Sequence, residues 1–479
     1  MQFSLPAARR TAWALLVSGS LCGVLAFPQG SQSARAVDPG VRHAATDNGP
    51  PIALSGLAAD ELAYFEDGMA RFDTIEVVSG AAPQTQGNGL GPRFNSNQCA
   101  SCHSQPYMGG SSPAQNPLLR VATAGGASNS IPWFITANGP IREVRFLESN
   151  GVYDGGVHDL FVVSGRSDAG ACNITQPTFT PAGNPLTGQG GNSNLTFRIP
   201  TPVLGAGLIE AIPDSAILAN MNANAAKNSQ VGVHGHANAL LEGNVNLSAN
   251  DGSITRFGWK AQNKSLLMFA GEAYNVEMGI SNQLFPQERD ETPSCRPYNV
   301  TPEDANNMSV AYNGYPTAAL SDIEAFANFM RMLAPPAPAA STAATITGRA
   351  QFIAVGCAAC HTPSFTTGAA IATGSSRSPS PALSAQQVNL YSDLLVHHMG
   401  QGLADGITQG SAGPDEFRTA PLWGLGQRVF FLHDGRTSNL IAAIQAHQSS
   451  GSEANTIVQR FNALSSAQQQ DVLNFLRSL

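Results

Sequence analysis

The sequence predicts a mainly α-helical, loop-rich chain built from two repeated domains, and three observations carry that prediction. A C-x-x-C-H unit occurs twice, as Cys99-Ala100-Ser101-Cys102-His103 and as Cys357-Ala358-Ala359-Cys360-His361. Each unit stands within the same ordered series of landmarks, which is the signature of an internal repeat. Each series closes on an apolar pattern of helical period. With 48 Gly and 31 Pro in 479 residues, much of the rest must be loop.

The chain opens with an export signal. Arg9 and Arg10 supply a basic start, an apolar stretch runs from Ala12 to Phe27, and Ala34-Arg35-Ala36 is an A-x-A cleavage site. Residues 1–36 are therefore expected to be removed, leaving a periplasmic or secreted protein. The apolar stretch is short and broken by Ser and Gly, so no stable membrane span is expected. Losing Arg9, Arg10 and Arg35 leaves 22 bases against 33 acids, a balance of −11. Such a chain has no evident attraction for nucleic acid or an anionic membrane.

The first copy, expected over about 45–334, begins its landmarks with Gly68 and Phe72, a G-x-x-x-F pair. After its cysteine motif come Phe197-Arg198 and a P-x-x-G-x-G run at Pro202, Gly205 and Gly207. Its closing helix should start at a capping box of Ser321 with Glu324 and bury Ile323, Phe326, Phe329, Met330 and Leu333. Gly-, Asn- and Ser-rich stretches near 168–195 and 220–253 are candidate insertions. Residues 335–344, rich in Pro and Ala, read as a linker. The second copy, over 345–479, repeats Gly348 with Phe352, Phe417-Arg418, and Pro421, Gly424 and Gly426. Its closing helix is expected to start at Ser466 with Gln469 and to bury Val472, Phe475, Leu476 and Leu479.

The cysteines define the chemistry. Cys22 leaves with the signal, and four of the other six form the two motifs, the pattern of c-type haem attachment. Thiols three residues apart reach both vinyl groups of one porphyrin, and the next residue, His103 or His361, faces the iron. Neither a redox C-x-x-C nor a zinc knuckle requires that histidine. Each domain is therefore expected to be cytochrome-c-like, with one covalent haem. Cys172 and Cys295 remain, and in an oxidising compartment they are expected to form a disulfide. Leu440, Ile444 and His447 share one helix face, so His447 would emerge from an apolar wall.

These landmarks resemble the bacterial di-haem oxidoreductases of peroxidase type, relatives of the di-haem cytochrome c peroxidases and MauG-type proteins. The resemblance runs from about Glu61 to Leu479. It is sharpest at Arg256-Phe257-Gly258-Trp259-Lys260-Ala261, at Asp405, from Phe417 to Gly426, and at Phe431-Leu432-His433-Asp434-Gly435-Arg436. It implies that an electron from a small cytochrome or cupredoxin enters at a six-coordinate C-terminal haem. The electron then passes to an N-terminal haem where peroxide or oxygen reacts. It further implies His447 as second axial ligand, Glu277 as a proton-moving carboxylate, Trp259 between the haems, and Thr419 and Pro421 as carbonyl ligands of a calcium ion. Glu210, which follows the first P-x-x-G-x-G, is a second carboxylate candidate. One departure counts against simple peroxide turnover: where the peroxidases carry a glutamine about ten residues before the glutamate, this chain reads Leu267-Met268.

The two copies differ where it matters most. Ala273 falls where His447 would, and a methyl group cannot ligate iron. The leading expectation is thus a di-haem oxidoreductase with a reactive first haem. A di-haem electron-transfer cytochrome and a di-haem oxygenase acting on an apolar substrate are the alternatives. The clusters His397-His398-Met399 and His234 with His236 are further candidate ligands.

Overall fold

The computed structural model describes residues 35–76, 90–91, 93–123, 129–146, 160–162, 176, 179, 195–239, 254–286, 304, 314–317, 320–370, 373 and 379–479. Contacts separate Met1–Arg35 from Ala36–Leu479, and all that follows concerns the second unit. The expected signal lies almost wholly outside the described residues, as do Cys172 and Cys295. Among the described residues, no helix is long and apolar enough to cross a membrane.

The architecture is mainly α. In chain order the helices are α1 (Ala59–Phe72), α2 (Cys99–Cys102), α3 (Leu118–Val121), α4 (Ala206–Glu210), α5 (Asp214–Ser229), α6 (Leu266–Met278), α7 (Asp322–Met332), α8 (Ala343–Val355), α9 (Leu440–Ala446), α10 (Asn455–Asn462) and α11 (Ser466–Ser478). Short antiparallel strand pairs fill the turns between them: β1 (Arg93–Phe94) with β3 (Phe161–Val162), β2 (Glu143–Phe146) with β4 (Leu195–Arg198), β5 (Phe365–Thr366) with β6 (Gln387–Val388), and β7 (Val396–His398) with β8 (Glu416–Arg418). The two Phe-Arg landmarks thus lie on β4 and β8, where Phe197 pairs with Val144 and Phe417 with His397.

The G-x-x-x-F pairs explain how each copy closes. A Cβ on Gly68 would overlap the carbonyl oxygen of Ala325, and one on Gly348 that of Asp471. Glycine lets α1 reach α7, and α8 reach α11, at backbone contact. The phenylalanine one turn on then packs on the closing helix. Phe72 lies 5.0 Å from Phe329, and Phe352 lies 5.4 Å from Phe475, ring centre to ring centre.

The α7 capping box forms as expected between Ser321 and Glu324. That of α11 uses Ser465 with Gln468, one residue earlier than expected. Ser465-Ser466 and Gln468-Gln469 satisfy the spacing in either register, and packing selects the first. Part of the second candidate insertion is also ordered: 214–229 is the polar helix α5, of which Ile217 is buried. The expected linker runs extended into α8, whose first turn is capped by Thr342.

The copies interlock. Phe365, Leu383, Val388, Leu390, Leu394 and Leu395, from the second copy, are buried in the same apolar core as the helices of the first. The loops before α6 and α9 also adopt one geometry. Phe257 bridges Asn263 as Phe431 bridges Thr437. Gly258 and Ala261 have positive φ, as do Leu432 and Gly435. The N-caps Ser265 and Asn439 then start the two helices. Counting from those caps, Trp259 is equivalent to His433 and Ala273 to His447.

Candidate functional site

Each C-x-x-C-H unit opens onto a cavity. The first holds about 1170 Å³, mouth included, and is lined by Cys99, Cys102, His103, Trp259, Ala273 and Glu277 among others. The second holds about 1390 Å³ and is lined by Cys357, Cys360, His361, Trp259, His433 and His447 among others. Trp259 forms part of both walls. Its indole Nε1–H donates to the Ile199 carbonyl at 2.9 Å, which fixes the ring plane.

Three cavity histidines share one arrangement. His103 Nδ1 faces the Gly110 carbonyl at 3.1 Å, His361 Nδ1 the Tyr391 carbonyl at 2.9 Å, and His447 Nδ1 the Ala443 carbonyl at 2.7 Å. A carbonyl only accepts, so Nδ1 carries the hydrogen and Nε2 keeps its lone pair. Ligands of a metal are oriented in this way. Burial favours the neutral ring and lowers all three pKa values, to about 4 for His103 and His361. The thiols are free and half-buried. Burial raises Cys102 to about 11 and Cys357 to about 12, so these are protonated thiols, unlike the low-pKa cysteine of a redox C-x-x-C. The donor set in both cavities fits a haem: two thiols, one neutral imidazole with an unprotonated Nε2, and an apolar wall.

Charge separates the two cavities. Glu143, Glu272 and Glu277 line the first, with Arg142, Arg145 and Arg198. Glu277 Oε2 accepts from Asn95 Nδ2 at 2.9 Å, and the Glu277 carbonyl accepts from the backbone of Asn95 and Ser96. Glu143 accepts from Arg145 Nε at 3.1 Å. Glu272 accepts from Asn263 and Gln262. The second cavity is edged by Arg418, Arg428 and His397, with Glu453 as its carboxylate. His397 is buried with Nε2 2.9 Å from Asp393 and Nδ1 2.8 Å from Glu453, and carboxylates on both nitrogens make it an imidazolium.

A family profile described as "Di-haem oxidoreductase, putative peroxidase" matches residues 190–479. The chain belongs to that family. The match takes in the second cysteine motif and more than half of the sequence. No curated protein matches. Solved structures that share segments with it include the following three. Hydrazine synthase from Kuenenia stuttgartiensis is 19% identical over 35% of this chain and 57% of that one, TM-score 0.22. A MauG-like protein associated with microbial copper homeostasis is 17% identical over 33% and 52%, TM-score 0.23. The diheme peroxidase BthA from Burkholderia thailandensis is 14% identical over 47% and 65%, TM-score 0.26. The chain thus spans between about half and two thirds of their lengths.

In this member of the family the expected site residues fall into three groups. Glu277 lines the first cavity, Trp259 lines both, and His447 lines the second with His361. Glu210 lies outside both linings. It accepts from Arg331 Nε at 2.7 Å and from the first backbone N–H of α6 at 2.8 Å, a buried ion pair that ties α4, α6 and α7 together. Thr419 lines the second cavity with His361, and Pro421 lines the small space beside Trp259; the Thr419 carbonyl accepts from Ser392 Oγ at 2.6 Å. Among the described residues, no group of three or more His, Cys, Asp or Glu side chains is gathered for a metal ion.

Other candidates settle elsewhere. His236 pairs with Glu416 at 2.8 Å, and His398 with Asp415 at 2.9 Å, near the surface; exposed His234 donates its backbone N–H to Glu453. Sequence reasoning missed Gln262. Its side chain lines the first cavity, and its Oε1 is buried without a hydrogen-bond partner among the described residues. It lies in the turn before α6, five residues upstream of the Leu267-Met268 that broke the expected pattern. The cue was available in the Arg256–Ala261 landmark, which it directly follows.

Proposed function

We propose that this chain is an exported oxidoreductase that holds two covalent c-type haems, one at Cys99, Cys102 and His103 and one at Cys357, Cys360 and His361. In this reading the first haem meets the small oxidant, peroxide or oxygen. The second receives electrons from a small cytochrome or cupredoxin. The observation that carries the assignment is the asymmetry at equivalent positions: His447 in the second cavity, Ala273 in the first.

Haem iron supplies one-electron chemistry and, where a coordination position is open, binds the oxidant. The residues do the rest. His447, anchored through Nδ1–H to Ala443, would hold the second haem together with His361 by offering Nε2 to its iron. Glu277, steadied by Asn95, accepts a proton from the oxidant and returns it to the departing oxygen. Gln262 offers an unsatisfied amide oxygen to a hydroxyl hydrogen in the same cavity. Trp259 gives the two cavities a shared aromatic wall.

Two measurements test this. Intact mass and acid–organic extraction should find two haem additions that resist extraction. The resting electron paramagnetic resonance spectrum should combine one high-spin and one low-spin ferric signal. Two low-spin haems, each with two protein ligands in both oxidation states, would make the chain an electron carrier instead.

A further inference from the structure

Four buried guanidinium groups among the described residues are matched by carboxylates. Arg198 meets Asp405, Arg256 meets Asp214, Arg331 meets Glu210 and Arg477 meets Asp38. Arg418 and Arg428 break the pattern. They are 7% and 9% exposed, and both line the second cavity and a small space beside Trp259 that shares wall residues with both cavities. Arg418 Nε donates to the Gly258 carbonyl at 3.0 Å. Neither guanidinium meets a carboxylate among the described residues, and that of Arg428 has no protein hydrogen bond there. Burial lowers both to about 10, with the like charge of Arg428 adding to the effect on Arg418. Two adjacent buried cations without counterions are costly.

We propose that Arg418 and Arg428 are a carboxylate seat on the inner wall of the second cavity, and that its occupant is the propionate pair of the haem held at His361. This rests on the proposed haem in that cavity. His433 extends the seat: it is 5% exposed, lines the same cavity and stacks on Phe417 at 4.1 Å, and no hydrogen bond is made by its ring among the described residues. The seat turns the haem's acidic edge toward Trp259 and the first cavity. It also sets the charge that the iron feels, since two cations beside the propionates favour the reduced form. The same charges oppose a divalent cation at neighbouring Thr419 and Pro421.

The test uses the holoprotein. Arg428→Gln breaks no side-chain hydrogen bond to the described protein and should retain both haems by mass. Its second, low-spin haem should be harder to reduce by about tenfold in equilibrium, ~59 mV for one electron. Arg428→Lys should stay near the wild-type potential. The resonance Raman propionate bending band of the wild type should report strong hydrogen bonding, and excess chelator should leave the potential in place. Acetate added to the wild type should produce no saturable spectral change. An unchanged potential in Arg428→Gln with full haem content overturns the seat, as does a propionate band of solvated type. Saturable acetate binding that Arg428→Gln abolishes overturns the choice of occupant. If the wild type itself lacks haem at Cys357 and Cys360, the underlying functional reading fails first.

Discussion

At the residue scale the two cavities differ by a few side chains whose roles can be separated. His447 has one orientation because its Nδ1–H is committed to Ala443. Replacing it by alanine should turn the second haem high-spin in absorption and paramagnetic resonance spectra and impair electron entry, leaving the first haem's signal in place. In the proposed reading Glu277 moves protons, so Glu277→Gln should preserve both spectra while slowing peroxide or oxygen turnover by roughly 10²–10⁴-fold. Normal turnover in that variant would remove Glu277 from the mechanism. A comparable loss in Glu210→Gln would be expected to come with unfolding, since Glu210 neutralises buried Arg331. Thermal melts distinguish the two cases.

At the scale of elements, each copy is closed by one helix pair meeting at a glycine. A methyl group at Gly348 has nowhere to go but into the Asp471 carbonyl, which is backbone and cannot swing aside. Gly348→Ala should therefore destabilise by roughly 1–3 kcal/mol, the usual cost of overpacking, seen as a lower unfolding midpoint. The capping box of α7 is worth less: Ser321→Ala should cost about 1 kcal/mol. The paired loops before α6 and α9 explain why a tryptophan and a histidine occupy equivalent places. Trp259 and His433 meet edge to face at 6.4 Å, and each loop docks on the other copy. Arg418 donates its backbone N–H to the Trp259 carbonyl, and Ile199 donates to that of His433.

At the scale of the whole molecule, Asp405 is the charge that holds the two copies together. It is buried, with Arg198 Nη2 at 2.6 Å and Lys260 Nζ at 3.1 Å, two cations drawn from the first copy. Lys260 in turn lies 4.1 Å over the ring of Phe417, which stacks on His433. Asp405→Asn leaves two buried cations short of a counterion and should destabilise by roughly 3–5 kcal/mol. Burial alone would raise the pKa of Asp405; Arg198 and Lys260 outweigh it and hold the value at about 2. A depressed carboxylate stabilises the fold fully above its unfolded value of 3.8 and loses that contribution as pH falls through about 2. The amount is ~2 kcal/mol, so acid unfolding of wild type should be steeper below pH 4 than that of Asp405→Asn. His398 works at the other end. Burial lowers its pKa, but the hydrogen bond it donates to Asp415 and the charge of Glu416 raise it overall. Its contribution is complete below its unfolded value of 6.5 and fades as pH rises through the higher folded value.

The sequence by itself determined the local chemistry. Two cysteines and a histidine on one turn are contiguous, so both candidate haem sites were legible without a fold. The G-x-x-x-F pairs, the α7 cap and the mainly helical class were legible for the same reason: each depends on spacing within a few residues. The offset between His447 and Ala273 could be counted from the repeat. Only the tertiary structure decided what depends on residues far apart in the chain. It drew Glu210 away to Arg331, brought Gln262, Glu143 and Glu272 to the wall of His103's cavity, and left Arg418 and Arg428 facing the other without carboxylates. Ion pairing and cavity lining are set by where distant segments meet, here Arg198 with Asp405 across 207 residues, and no local pattern encodes that distance.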